Sequence, residues 1–220
     1  MTGGETDGVF KAIGEVRGFR GDEGFDDLAA AFVKELSGWG RRMHLTGRGE
    51  AERNLARQFA DSLEMLVLAE SLVQTGDRGA GPPCVADIGS GAGFPGLVWA
   101  IARPRWKMVL FERKKKLAAF LERTAAVLGL ERVEVVPEEL GDRGFEGRFG
   151  MAASKAAGRL ERILPVAGRI LARDGVYVTV KGSGWEHELE GCEGPFEISG
   201  RRPIAGGGGE AVAFRKKRFT

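Results

Sequence analysis

Cysteine is scarce in this chain. Two residues among 220, Cys84 and Cys192, are too few for a disulfide scaffold or a cysteine zinc site. They read as incidental thiols of a reducing compartment. Histidine is as scarce, and His44 and His187 stand far apart in no metal-ligating spacing. No apolar run is long enough to span a bilayer. The start, Met1-Thr2-Gly3-Gly4-Glu5, is polar and has no secretory hydrophobic segment. Together these absences point to the cytoplasm, with no membrane partner and no resident metal. A dominant charge is missing too. Lys and Arg number 33 against 31 Asp and Glu, a net +2, so any nucleic-acid contact has to come from local patches.

What the chain has is glycine, 35 of them, within a composition that is 43% hydrophobic and 29% charged. Those proportions suit a soluble globular protein, and the length is enough for one domain with a sizeable core or for one domain plus a helical appendage. Four of the glycines stand in one decisive stretch, Val85-Ala86-Asp87-Ile88-Gly89-Ser90-Gly91-Ala92-Gly93-Phe94-Pro95-Gly96. This reads as a strand, a tight glycine turn and a helix start, with Pro95 suited to the first helical turn. Free N–H groups there favour an anionic or carboxylate-bearing ligand. Gly91-x-Gly93-x-x-Gly96 formally matches a dinucleotide fingerprint. Asp87, two residues before the first glycine, argues for another ligand. A pyrophosphate gains nothing from a carboxylate beside its turn, whereas S-adenosylmethionine carries a sulfonium and an ammonium and no phosphate.

Along the chain, residues 1–24 mix Gly, Asp, Glu and Arg with isolated Val9, Phe10, Ile13 and Val16, and predict a mobile or weakly helical arm. Residues 25–75 predict a helical region. Leu28, Ala31, Phe32, Glu35 and Leu36 follow a three-and-four spacing that Trp39 extends. Gly38, Gly40, Gly47 and Gly49 are expected to break it into a loop carrying Arg41, Arg42, His44 and Arg48. A second helix is expected from about residue 50 to 73, and residues 75–83 read as a linker. The main domain, 82–220, alternates. Strands are expected at 85–88, 107–111, 133–136, 149–153, 176–180, 197–201 and 210–218, and helices at 97–102, 117–128 and 160–172. That order implies an α/β fold with a doubly wound, mostly parallel sheet. Ligands in such sheets lie at the carboxyl ends of the strands.

The residues that carry chemistry follow from that placement. Glu112, 21 positions after Gly91, ends the second strand, where a carboxylate can accept both ribose hydroxyls of an adenosine ligand. Glu138, Glu139, Leu140 and Gly141 follow the third strand, where an adenine edge would lie. Arg113-Lys114-Lys115-Lys116 opens the next helix, although cations are disfavoured at a helix N-terminus. A polyanion contact and a plain solvated face both remain open for that run. Arg41, Arg42, Arg48, Arg53 and Arg57, then Lys155, Arg159 and Lys181, add cations, several of them on the same rim. A basic rim around a cofactor pocket suggests a nucleic-acid substrate. There is no Gly-x-Ser-x-Gly elbow, no Asp/Asn-Pro-Pro-aromatic run of amino-group methylating enzymes, and no Pro-Cys nucleophile of cytosine-C5 enzymes.

These residues resemble the bacterial glucose-inhibited division protein B family, from about Trp39 to Lys181. The family's Asn-Leu-Thr is similar to His44-Leu45-Thr46, and its Asp-Ser-Leu to Asp61-Ser62-Leu63. Its Asp-x-Gly-x-Gly-x-Gly-Leu-Pro-Gly corresponds to Asp87–Gly96, with Phe94 for Leu. Arg103-Pro104, the run Lys115 to Leu121, Ser154-Lys155-Ala156 and Lys181-Gly182 continue the likeness. The departures are Lys155 for an arginine, Gln58 for a histidine, Leu140-Gly141 in place of an apolar residue and Glu, and Gly209-Glu210-Ala211-Val212 for Gly-Glu-Arg-His.

The resemblance implies a class I S-adenosylmethionine-dependent methyltransferase with a seven-stranded sheet and an N-terminal helical region. Its substrate would be guanine N7 of small-subunit (16S) ribosomal RNA. The cofactor residues it implies are Asp87, Gly89, Ser90, Gly91, Gly93, Phe94, Glu112, Arg113, Glu139, Leu140, Gly141 and Lys155, with Lys155 also positioning the reaction. Arg41, Arg42, Arg57, Lys114, Lys115, Lys116, Arg159 and Lys181 would face RNA, and the protein would act as a monomer. Transfer would be an in-line displacement without metal or covalent intermediate, because guanine N7 offers a lone pair and no proton. Two other classes stay open: a non-catalytic RNA-binding assembly factor on the same fold, and a nicotinamide-dinucleotide oxidoreductase.

Overall fold

A computed structural model describes residues 3–43, 48–73, 82–140, 144–156, 158–192, 196–204 and 208–216, with the side chains of 40–53 outside that description. Three helices come first: α1 (Gly3–Gly14), α2 (Phe25–Met43) and α3 (Arg48–Leu72). The α/β part follows as β1 (Cys84–Ile88), α4 (Gly96–Ala102), β2 (Lys107–Phe111), α5 (Lys115–Val127), β3 (Val133–Val136), β4 (Phe149–Ser154), α6 (Leu160–Ile170) and β5 (Leu171–Gly182). A short 3-10 helix, Trp185–Gly191, precedes β6 (Phe196–Pro203) and β7 (Gly209–Lys216). One sheet of seven strands runs in the order β3-β2-β1-β4-β5-β7-β6. The first five strands pair in parallel, and β7 pairs antiparallel with both β5 and β6. No described helix is long and apolar enough to cross a membrane.

The central strands are apolar on both faces, as a sheet covered on both sides requires. Side chains alternate across the sheet. Val85, Met108, Leu110, Met151, Ala153, Val176 and Val178 enter the core beneath α1–α5. Ala86, Val109, Phe111, Ala152 and Tyr177 enter the opposite core with Leu160, Ile163, Leu164 and Ala167 of α6. Asp87 is in register with Leu110 of β2 and Ala153 of β4, so its side chain belongs to the face covered by the N-terminal helices.

Those helices are fastened to the sheet by polar contacts as well as packing. The Arg103 guanidinium donates to both carboxylate oxygens of Glu70, at 2.6 and 2.9 Å, and to the Arg20 carbonyl at 2.8 Å. Arg202 of β6 donates to Glu64 of α3. The Trp99 indole donates to the Ser62 carbonyl at 2.7 Å.

Three sequence expectations change here. Residues 3–14 are a helix, and Val9 and Val16 are in the core, so of the two expected forms the segment takes the helical one, packed instead of mobile. Val9, Phe10 and Ile13 share one face of this helix and Val16 follows its end, a signal diluted by the glycines around it. Second, α2 runs through Gly38 and Gly40 to Met43 instead of breaking. A glycine costs a helix about 1 kcal/mol, and the Trp39 ring packing on Phe120, centroids 4.8 Å apart, outweighs that cost. Third, β5 begins directly after α6 at Leu171, five residues before the β-branched run. The expected Asn-Leu-Thr counterpart, 44–46, lies outside the described residues.

Truncating Val9 to Ala tests the packed reading of α1. It should lower the unfolding free energy by about 2 kcal/mol through lost transfer energy and a residual cavity, measured by urea denaturation. A residue in a mobile arm would give less than ~0.5 kcal/mol.

Candidate cofactor and active site

The glycine turn after β1 is built by its own backbone. Gly89 and Ser90 both donate to the Phe111 carbonyl, at 2.9 and 3.0 Å, which carries the chain across the end of β2. Ser90 is buried, and its hydroxyl donates to the Asp87 carbonyl at 3.1 Å. Gly93 donates back to the Ser90 carbonyl at 2.8 Å. Its φ is 98°, a conformation closed to most side chains, and a Cβ there would meet Leu97 at 2.7 Å. At Gly96 the constraint is space, since a Cβ would meet Asp87 Oδ2 at 2.5 Å and Leu110 at 2.4 Å.

Two carboxylates close this turn. Asp87 is fully buried, and its Oδ2 accepts the Gly96 N–H at 3.0 Å. The first free N–H of α4 is therefore met by the chain's own acid and Leu97 N–H by the Gly93 carbonyl, which corrects the expectation of N–H groups left for a ligand. Burial pushes the Asp87 carboxyl up to about 7, against the Gly96 hydrogen bond that holds it down. Its Oδ1 has no hydrogen-bond partner among the described residues. Glu112, 6% exposed, accepts the Gly91 N–H through Oε2 and the Lys114 N–H through Oε1, both at 2.8 Å. It pins the glycine turn to the start of α5, a role that its position in the sequence did not reveal.

Lys155 follows β4 and points to the same face as Asp87. Its ammonium is 3.8 Å from Asp61 Oδ2 of α3 and 5.5 Å from the centre of the Phe94 ring. Burial brings it down to about 8. Phe94 packs on Phe32 of α2 and Phe59 of α3, centroids 5.6 and 5.5 Å away, so it forms the wall between the glycine turn and the helical layer. Asp87, Ser90, Phe94, Glu112 and Lys155 thus converge at the carboxyl ends of β1, β2 and β4.

Other expected residues lie elsewhere. Lys181 is buried and donates to Glu188 at 2.7 Å and to the Gly158 carbonyl at 3.2 Å, which removes it from the RNA-facing set. Glu188 also accepts the Leu160 N–H at the start of α6. The local sequence did not pair Lys181 with a carboxylate seven residues on, because the intervening turn becomes a 3-10 helix. Leu140 is buried in the core under α6. Arg113 and Glu139 are exposed and face each other at 3.8 Å. Lys114 is the N-cap of α5, and Lys115 and Lys116 stand exposed in its first turn, with no acidic residue there. Arg159 is the N-cap of α6, 3.1 Å from Glu161. Arg57 is 56% exposed beside Asp61. Arg41 and Arg42 belong to the last turn of α2, with side chains outside the description, and Gly141 lies outside the described residues.

With this geometry in view, a family model described as rRNA small subunit methyltransferase G matches residues 26–204. The chain belongs to that family. A relative from Nitrosospira multiformis, named ribosomal RNA small subunit methyltransferase G, is 38% identical over 64% of this chain and 61% of its own length. A relative of the same name from Laribacter hongkongensis is 32% identical, over 74% of this chain and 73% of its own. The chain spans less than two thirds of the Nitrosospira relative and of the Sorangium cellulosum one, 61% and 64%. Among solved structures, a SAM-dependent O-methyltransferase from Thermotoga maritima aligns over 64% of this chain and 61% of its own, at 16% identity and TM-score 0.51. A SAM-dependent methyltransferase from Aquifex aeolicus aligns over 61% and 82%, at 15% identity and TM-score 0.51. These likenesses establish the class I methyltransferase fold for the family member described here.

The raised Asp87 carboxyl has a signed consequence. Its folded value near 7 exceeds its ordinary value of 3.8, so the protonated acid contributes stability that is complete below about pH 4 and is lost as pH rises through 7. The unfolding free energy of the wild type relative to Asp87→Asn should therefore fall between pH 4 and 8, by up to about 4 kcal/mol at ~1.4 kcal/mol per pH unit. Urea denaturation of both proteins across that range checks it; parallel pH profiles would contradict the assignment.

Proposed function

We propose that this protein transfers a methyl group from S-adenosylmethionine to N7 of a guanine in small-subunit ribosomal RNA. The observation that carries the reading is the glycine turn clamped between Asp87 and Glu112, in a chain of the rRNA small subunit methyltransferase G family.

The pocket's chemistry suits that ligand. Asp87 Oδ1 and Lys155 Nζ are buried without hydrogen-bond partners among the described residues, and an amino-acid end with an ammonium and a carboxylate would complete both. Glu112 keeps lone pairs beyond its two backbone bonds for the vicinal hydroxyls of a ribose. A pyrophosphate would instead meet two carboxylates. When bound, S-adenosylmethionine supplies an electrophilic sulfonium methyl. The protein's own work is then to bind, orient and exclude water. No residue has to remove a proton, since guanine N7 has none in the neutral base.

On the RNA side, Lys114, Lys115 and Lys116 and Arg159 stand at the starts of α5 and α6, beyond the strand ends that form the pocket. Arg113 and Arg57 are exposed near the same edge, and Arg41 and Arg42 belong to the same reading through their place in α2. These cations would act on phosphates and set affinity and register, while base identity is read inside the pocket.

The deciding assay is transfer of tritiated methyl to small ribosomal subunits from cells lacking this protein, followed by mapping of the modified base. Binding of NADH in place of S-adenosylhomocysteine would refute the cofactor assignment. RNA binding without methyl transfer would favour an assembly role. Two variants separate the halves of the site. Glu112→Ala should weaken S-adenosylhomocysteine at least tenfold, about 1.4 kcal/mol, and leave the salt dependence of RNA binding unchanged. Replacing Lys114, Lys115 and Lys116 together by Ala should barely alter cofactor affinity. It should flatten the slope of log affinity against log salt by about 0.7–0.9 per lost phosphate contact.

A further inference from the structure

Helix α3 sends one acid into the pocket. Asp61 is 5% exposed, one turn after Arg57, whose guanidinium lies 3.7 Å from Asp61 Oδ2 on the solvent side. On the inner side the same oxygen is 3.8 Å from Lys155 Nζ. That distance gives attraction without a hydrogen bond. Asp61 Oδ1 and Lys155 Nζ are both buried and have no hydrogen-bond partner among the described residues. A buried ammonium without hydrogen bonds is costly. Its donors are held in place by a nearby countercharge while remaining available to something else.

We propose that Asp61 is a positioning residue of the methyl-donor pocket, holding the Lys155 ammonium charged beside Phe94 and Asp87 to take the carboxylate of the donor's amino-acid end. This rests on the S-adenosylmethionine reading above. The groups that act on this ammonium come from two elements. From α3 they are Asp61, which favours the charged form, and Arg57, which opposes it; Glu64 acts in turn on Asp61. From β1 it is Asp87, itself facing Glu112. Burial is the largest influence and brings the lysine down to about 8, with Asp61 the strongest counterweight. Because this chain has lysine where a guanidinium would never titrate, donor binding becomes coupled to a proton on Lys155.

The test is calorimetric titration of the full chain with S-adenosylhomocysteine between pH 6 and 9.5. Wild-type affinity should decline as pH rises through the titration of Lys155. In Lys155→Arg that decline should vanish, leaving only the titrations of Asp87, near 7, and of the ligand's own amino group. Asp61→Asn should move the midpoint down by about one pH unit, Arg57→Gln should move it up, and Asp61→Glu should restore it towards wild type. Opposite shifts from two neighbours on one helix turn are not expected of a purely structural role. If both variants keep the wild-type midpoint, or if Asp61→Asn loses affinity equally at every pH, the proposal is overturned. Should Asp61→Asn fail to fold, Arg57→Gln, altered only at an exposed side chain, decides alone: an upward shift supports the proposal and none refutes it. A folded wild-type protein that binds no S-adenosylhomocysteine at any pH would refute the methyl-donor reading itself.

Discussion

The hydrogen bond from the Gly96 N–H to the buried Asp87 carboxylate is the contact on which the rest of the site depends. It joins the end of the central strand to the start of α4 and so sets the path of the whole glycine turn. The approach is possible because residue 96 lacks a Cβ, which would otherwise stand 2.5 Å from the acceptor. Burying an acid is expensive, and its carboxyl is pushed up to about 7 as a result. A fold chosen for stability alone would place an apolar residue here. The cost is consistent with a pocket that needs an unpaired carboxylate oxygen, and Oδ1 is such an oxygen.

Glu112 makes the second fixed point. By accepting N–H groups from Gly91 and Lys114 it ties the ends of β1 and β2 into one rim. The rim is then walled by Phe94, whose ring is packed on α2 and α3. The N-terminal helices are therefore part of the site's construction. They reach it through the Phe32–Phe59–Phe94 cluster and through Asp61, and they are held on the sheet by Arg103 with Glu70 and by Arg202 with Glu64. Disturbing that layer would alter the pocket from the side that has no glycine motif.

The charges around the pocket divide by burial. Lys181 sits in a low-dielectric site with a carboxylate at 2.7 Å and belongs to the folding of the turn after β5. Lys114, Lys115 and Lys116 stand in water at a helix start where the backbone dipole opposes them. Lys155 is intermediate: it is enclosed like Lys181, yet its nearest carboxylate is beyond hydrogen-bonding distance.

Short-range order was legible in the sequence. The buried strand Lys107–Phe111, the half-buried edge strand Val133–Val136, the glycine turn and the alternation that implies a parallel sheet all follow from short apolar runs bounded by turn residues. The placing of Asp87 and Glu112 at neighbouring strand ends followed from the same alternation. What the tertiary structure decided were contacts between residues far apart in the chain. Helix α2 continues through Gly38 and Gly40 because Trp39 finds Phe120, 81 residues later. Lys181 turns inward because a 3-10 helix delivers Glu188, and Lys155, just after β4, meets Asp61 because the fold lays α3 against the sheet. Local propensities amount to tenths of a kcal/mol per residue, so a few packed rings or one buried ion pair can override them, and which rings and ions meet is known only once the chain has folded.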